Sequence, residues 1–145
     1  MRIRQFAVLL VVLCSSISCG INVIVHDQQA AAKSAAKFAD VALVQSDYSV
    51  ARSMLSPELE QATTGDKLAA EVGKMHPKGR PSDVKAVEFE PLPGQRAMNI
   101  FLKGTQGDEE FFYRLLMVGD ENAGYKVGGL WRGSGPYPPS ARKPL

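Results

Sequence analysis

Residues 76–90 read H-P-K-G-R-P-S-D-V-K-A-V-E-F-E, and the fold turns on them. Pro77, Gly79 and Pro81 end whatever helix precedes them, because proline lacks an amide hydrogen and glycine loses backbone entropy in a helix. From Val84 onward the hydrophobic period changes from 3.6 to 2, the mark of strands. Val84 to Glu90, Ala97 to Lys103, Phe111 to Val118 and Tyr125 to Arg132 are read as four strands. The segments between them, Pro91-Leu92-Pro93-Gly94, 104–108 and 119–124, are short and rich in turn residues. Such links join neighbouring strands as antiparallel hairpins. Phe111 to Val118 (F-F-Y-R-L-L-M-V) is apolar on both faces apart from Arg114, which suits a central strand.

Working back towards the N-terminus, the period is helical. From Gln28 to Gln45, Lys33, Lys37 and Asp40 form a polar stripe, and Ala31, Ala35, Phe38 and Ala42 form the opposite face. Phe38 is the largest residue on that alanine face and is expected to anchor it in the core. Ser46-Asp47 can cap a second, short helix holding Val50, Ala51, Met54 and Leu55. Ser56-Pro57-Glu58 supplies a cap, a proline for the first turn and an acid near the positive helix end. After Gly65-Asp66 a third helix puts Leu68, Val72 and Met75 on one face. The expected fold class is therefore α+β, in the order α-α-α-β-β-β-β, with N-terminal helices packed on a curved four-stranded antiparallel meander. The tail from Gly133 to Leu145, rich in proline, is expected to be extended or loosely packed.

Residues 1–18 have the form of a cleavable leader: Arg2 and Arg4, an apolar run from Phe6 to Leu13, then the small residues Ser15, Ser16 and Ser18. The run is far shorter than the ~20 residues a membrane-spanning helix needs. Ser16-Ile17-Ser18-Cys19-Gly20 resembles the lipobox of bacterial lipoproteins, with Ser16 departing from the large aliphatic residue usual there. The resemblance implies lipid on Cys19, a tether over residues 19–27, and attachment to a membrane in the cell envelope. The alternative is an ordinary secretory leader in which Cys19 is incidental. Gly20 follows the cysteine in place of the aspartate that signals inner-membrane retention, which favours the periplasmic face of the outer membrane.

Composition narrows the chemistry. Two of the 17 basic residues lie in the leader, leaving 15 against 15 acidic ones, so no electrostatic argument favours nucleic acid as a partner. Both cysteines, Cys14 and Cys19, fall within the first twenty residues, which excludes a disulfide staple or a thiolate metal site in the remainder. His26 and His76 have no acid at ligand spacing and are expected to be solvated or to cap. No metal and no cofactor is expected.

The order of elements, together with Phe38, Ser46-Asp47-Tyr48, Ala51 and Leu55, and with Tyr125-Lys126-Val127-Gly128-Gly129, resembles the nuclear-transport-factor-2-like (cystatin-type) fold over residues 30–132. That resemblance implies one domain over residues 28–132, with a pocket between helix and sheet used for ligands, catalysis or partner contact. An enzyme of the ketosteroid-isomerase type would draw on Asp40, Tyr48, Tyr113 and Arg114, yet Asp40 falls on the polar stripe and a non-catalytic role is expected. Arg114 can grip an anion, pair with an acid such as Glu88, or extend off the sheet face. Trp131 can line a pocket or close the core. Because a charge under the helix is costly, the face of the third strand bearing Arg114 is expected to point outward. This turns Tyr113 inward, where its hydroxyl needs a partner that a ligand or water would supply. Phe38 and Tyr113 are accordingly the candidate ligand-binding residues. The expected function is a small binding domain for an apolar ligand or an envelope protein, with a structural part in an envelope assembly as the alternative.

Overall fold

The computed structural model describes residues 24–138 and 142–145. Cys14, Cys19 and the expected leader over residues 1–18 lie outside the described residues. Four α-helices come first: α1 (Gln28–Ala39), α2 (Tyr48–Ser53), α3 (Pro57–Ala62) and α4 (Gly65–Met75). Five antiparallel strands follow: β1 (Asp83–Pro91), β2 (Ala97–Gln106), β3 (Glu109–Asp120), β4 (Gly124–Gly133) and β5 (Lys143–Pro144). The sheet order is β4-β3-β2-β1-β5. The expected α+β architecture stands in its coarse form, with two corrections to the element list.

The first correction lies among the helices. The long helix expected to run to Gln45 changes pitch at Asp40, and residues Asp40–Val44 form a π-helical segment closed by Gln45 N–H on the Asp40 carbonyl at 2.9 Å. Val41, Ala42 and Leu43 are all buried in this segment, whose wider turn spreads three successive side chains over a narrower arc than an α-helix does. Ser46 then takes a left-handed backbone, φ 59°, and ends the run. The single helix expected to restart at Ser56 is a separate one, and each α-helix has its own side-chain cap. Asp27, Asp47, Ser56 and Thr64 accept from the amides of Ala30, Val50, Leu59 and Lys67 respectively.

The second correction is a fifth strand in the tail, which is extended at its end, as one of the two expectations had it, but packed and paired with β1. Lys143 and Pro144 pair with Phe89 and Glu88 as the fifth strand. Tyr137 meets Phe101 edge-on at 5.4 Å, and Arg142 lies 5.0 Å over the same ring while its guanidinium holds Glu88 at 3.0 Å. Phe101 is on the outer face of the sheet and the tail buries it there.

The inner face carries the core. Ala31, Ala35, Phe38 and Ala39 of α1 pack without exposure against the sheet, and the small alanines permit close approach. From β2 come Met98, Ile100 and Leu102, which sit opposite Met117, Leu115 and Tyr113 of β3. Phe111, Tyr113, Leu115 and Met117 are all buried, and Arg114 faces the other way, as the cost of a buried charge requires.

Candidate functional site

The candidate site is an apolar groove at the β4 edge of the sheet, with a volume of about 270 Å³. Its floor is Phe38 and Leu55; one side is β4 from Val127 to Trp131, and the other is Leu59 of α3 with Leu68, Val72 and Met75 of α4. The α4 residues repeat at i, i+4 and i+7, so a single helical stripe builds that wall. The polar groups on the lining are Thr63 and Glu71, and Glu71 is held at the rim by Lys74 at 2.6 Å.

Two devices hold the walls apart. Leu55 pairs with Val127 as one parallel bridge, Val127 N–H donating to the Met54 carbonyl at 3.0 Å and Ser56 N–H to the Val127 carbonyl at 2.7 Å. This stitches the α2–α3 link to the edge strand. Arg52 then donates from Nε to the Thr63 carbonyl at 2.8 Å and from its terminal nitrogen to the Glu60 carbonyl at 3.1 Å. These are orphan acceptors at the end of α3, so one side chain satisfies them and sets the helix in place.

Gly128 explains the shape of the β4 side. Met117 sits opposite Val127 and Leu116 opposite Gly129, so Gly128 is an extra residue, a bulge. Beyond it the faces exchange: Leu130 pairs with inward Leu115, and Trp131 pairs with outward Arg114. Trp131 is therefore 42% exposed at the rim rather than closing the core. Its indole lies over Gly129, where an added Cβ would come within 2.3–3.0 Å of three ring carbons. The Arg114 guanidinium stacks on the indole at 4.6 Å. Of the alternatives for Arg114, the pair with Glu88 does not form: β2 lies between the two strands, with Phe101 opposite both residues, and Arg142 holds Glu88.

Of the residues singled out from the sequence, Phe38 is fully buried and lines the groove. Tyr113 is fully buried but is not on the groove lining, and its hydroxyl is already satisfied: it lies 2.7 Å from Nε2 of His76. The expectation that a ligand or water would complete Tyr113 is corrected by that bond. His76 does cap α4, with Nδ1 2.8 Å from the Val72 carbonyl, but at 7% exposure it is buried and not solvated. Burial is the main reason that its pKa falls below the usual histidine value, and Arg132 and Arg80 push in the same direction against the Val72 hydrogen bond. Burial raises the Tyr113 hydroxyl pKa. Asp40 is exposed and accepts from Gln45 at 2.5 Å, and Tyr48 accepts from Arg80 at 2.6 Å. Asp40, Tyr48, Tyr113 and Arg114 thus have separate partners and do not converge on one cavity. Among the described residues no cluster of metal-ligating side chains forms and no helix is long and apolar enough to cross a membrane.

Comparison with known proteins returns no matching family model, no similar curated protein and no similar solved structure. The geometry of the groove and the residue pattern are what a functional reading has to work from.

Proposed function

We propose that this chain is a non-catalytic lipoprotein of the cell envelope, anchored through lipid on Cys19, whose nuclear-transport-factor-2-like domain takes a small apolar ligand in the groove between β4 and α3–α4. The observation that carries the ligand reading is the groove itself: apolar on its floor and both walls, with Thr63 and Glu71 as its polar lining. Its 270 Å³ lies near the lower end of small-molecule sites, so the occupant is a small apolar body. The alternative, a structural role in an envelope assembly, calls for an uncovered apolar sheet face. Tyr137 and Arg142 cover that face at Phe101, while Val118 and Trp131 stay exposed on it.

Titration with 1-N-phenylnaphthylamine at pH 7.5 tests the groove directly. Leu59 is only partly buried, at the margin of the core, so Leu59→Glu is expected to keep the fold, checked by circular dichroism, while placing a carboxylate on the apolar wall. The expected result is saturable binding by the wild type and at least a tenfold weaker affinity in the variant. Equal binding by both would place the ligand elsewhere, and no binding together with no small molecule in an organic extract would favour the assembly role. For the anchor, Cys19→Ser is expected to release the protein from membranes and abolish labelling by an alkyne fatty acid. Labelling that persists would remove the lipoprotein reading.

A further inference from the structure

The last turn of the groove's α4 wall is tied to the sheet by Arg132 of β4, on the Met75 carbonyl, and by the buried ring of His76. Its Nδ1 faces the Val72 carbonyl at 2.8 Å, and its Nε2 faces the Tyr113 hydroxyl of β3 at 2.7 Å. A carbonyl only accepts, so Nδ1 carries the ring proton, and Nε2 of the neutral imidazole accepts from Tyr113. An imidazolium has a proton on both nitrogens. Nε2–H would then donate to the Tyr113 oxygen, and the Tyr113 hydrogen, deprived of its acceptor, would have to turn away into fully buried surroundings.

The groups facing this ring offer no counter-charge. From β4, Arg132 donates to the Met75 carbonyl and stacks on Phe111 at 4.8 Å. From the loop before β1, Arg80 adds a second positive charge that acts on the ring. From β3, Phe111 and Tyr113 present tilted rings at 6.0 and 5.7 Å. Glu109, at the head of β3, acts on the Tyr113 hydroxyl. The carbonyl end of α4 does favour a cation, but burial outweighs it.

We propose that the His76–Tyr113 contact is a proton-sensitive latch: charging His76 reverses its bond to Tyr113, drives the Tyr113 hydrogen out of the contact, and so weakens the hold of β3 on the last turn of α4 and loosens the groove wall built by Leu68, Val72 and Met75. The inference rests on the reading of the groove as the binding site and supplies its regulation, with an apolar occupant held at neutral pH and let go in acid. Val72 carries the connection, since its side chain is in the wall and its carbonyl is the His76 acceptor.

The chain contains two histidines and one tryptophan, and that tryptophan is Trp131 at the groove rim. Ring nitrogen NMR of His26 and His76 between pH 8 and 5 can therefore be set beside Trp131 emission and 1-N-phenylnaphthylamine affinity in the same protein. The expected result is that the emission change, and a fivefold or greater loss of probe affinity, follow the His76 curve and survive in His26→Gln. His76→Gln should flatten both responses; should that variant fail to fold, the wild-type and His26→Gln curves still decide. Responses that follow His26, or that stay flat while His76 titrates, overturn the latch. A probe that never binds at pH 7.5 overturns the groove reading instead, and Trp131 emission still tests the latch.

Discussion

Removing one oxygen from Tyr113 separates its role in stability from any role in binding. Tyr113→Phe keeps the ring, and with it the burial against Leu102 and the inner face of β3. What changes is the contact with His76 at 2.7 Å. Loss of the bond itself is worth about 0.5–1.5 kcal/mol, and a buried Nε2 left without a donor costs about 1–3 kcal/mol. The two figures overlap, since the second contains the first, so the expected loss is about 1–3 kcal/mol. In urea unfolding at pH 7.5 this lowers the midpoint with an unchanged slope, because the surface exposed on unfolding is the same. His76→Phe should cost a similar amount by stranding the Tyr113 hydroxyl. The double variant removes both polar groups, so the pair should show a coupling energy of about 1 kcal/mol or more in a double-mutant cycle. A Tyr113→Phe loss below about 0.5 kcal/mol, or additive single losses, would refute the reasoning. It would mean that each polar group finds water once the other is gone, and that the site is wetter than its burial implies.

Phe38→Ala empties the largest side chain on the α1 face and should cost about 3–5 kcal/mol in the same assay; a loss below about 1 kcal/mol would show that the site collapses around the cavity. Gly119 has φ 135° and an added Cβ would lie 1.8 Å from the Gly124 carbonyl oxygen, whereas Gly107 has φ 60° and open space around it. Gly119→Ala should therefore destabilise by more than about 2 kcal/mol and Gly107→Ala by about 1 kcal/mol; equal losses would show that the β3–β4 turn yields. Stability should fall with acid through His76: its folded pKa is depressed, so the unfolded chain binds the proton first. The contribution is whole above the unfolded value of about 6.5 and is lost as pH falls from there through the lower folded value. His76→Gln should remove that part of the slope in urea midpoints measured between pH 8 and 5.

How much of this was legible in the chain depends on whether a feature is local or counted. The caps at Asp47 and Ser56, the alanine face with Phe38, and the inward set Phe111, Tyr113, Leu115 and Met117 all follow from residue type and a fixed period. The Leu68, Val72 and Met75 stripe was legible too, but nothing in sequence says which strand it faces. Counting fails where one residue is added. Strict alternation from Tyr125 carries Val127, Gly129 and Trp131 to the same face and puts the indole in the core. The bulge at Gly128 shifts that count by one and puts the indole on the rim. The same shift at Val87 in β1, between Ala86 and Glu88, turns Glu88 outward to Arg142 and Phe89 inward beside Ile100. The His76–Tyr113 bond spans 37 positions, and a histidine after a helix looks the same in sequence whether it meets water or a buried hydroxyl.

The bulge also accounts for why a groove exists at this edge and not at the other. On the β1 side, the tail adds Lys143 and Pro144 as a further strand, and Arg142 and Tyr137 fill the adjoining outer surface. On the β4 side, cover reaches the edge only at Val127, through Leu55, before Pro57 turns the chain into α3. Past that point the bulge turns the positions of Gly128 and Gly129 to the outer side of the sheet, so the next β4 side chain on the inner face is Leu130 and the space between β4 and α4 stays open over two residues. Adding a side chain there is a direct check on the geometry. A Cβ at Gly128 would meet Val118 at 2.6 Å and Leu116 at 3.5 Å, on the outer side of the sheet. Gly128→Ala should thus disturb β3–β4 pairing and lower stability, whereas Gly129→Ala should push the exposed indole aside, changing Trp131 emission at a stability loss below about 1 kcal/mol. Trp131 emission unchanged in Gly129→Ala would mean that the indole does not lie across Gly129, and the rim of the groove would have to be redrawn.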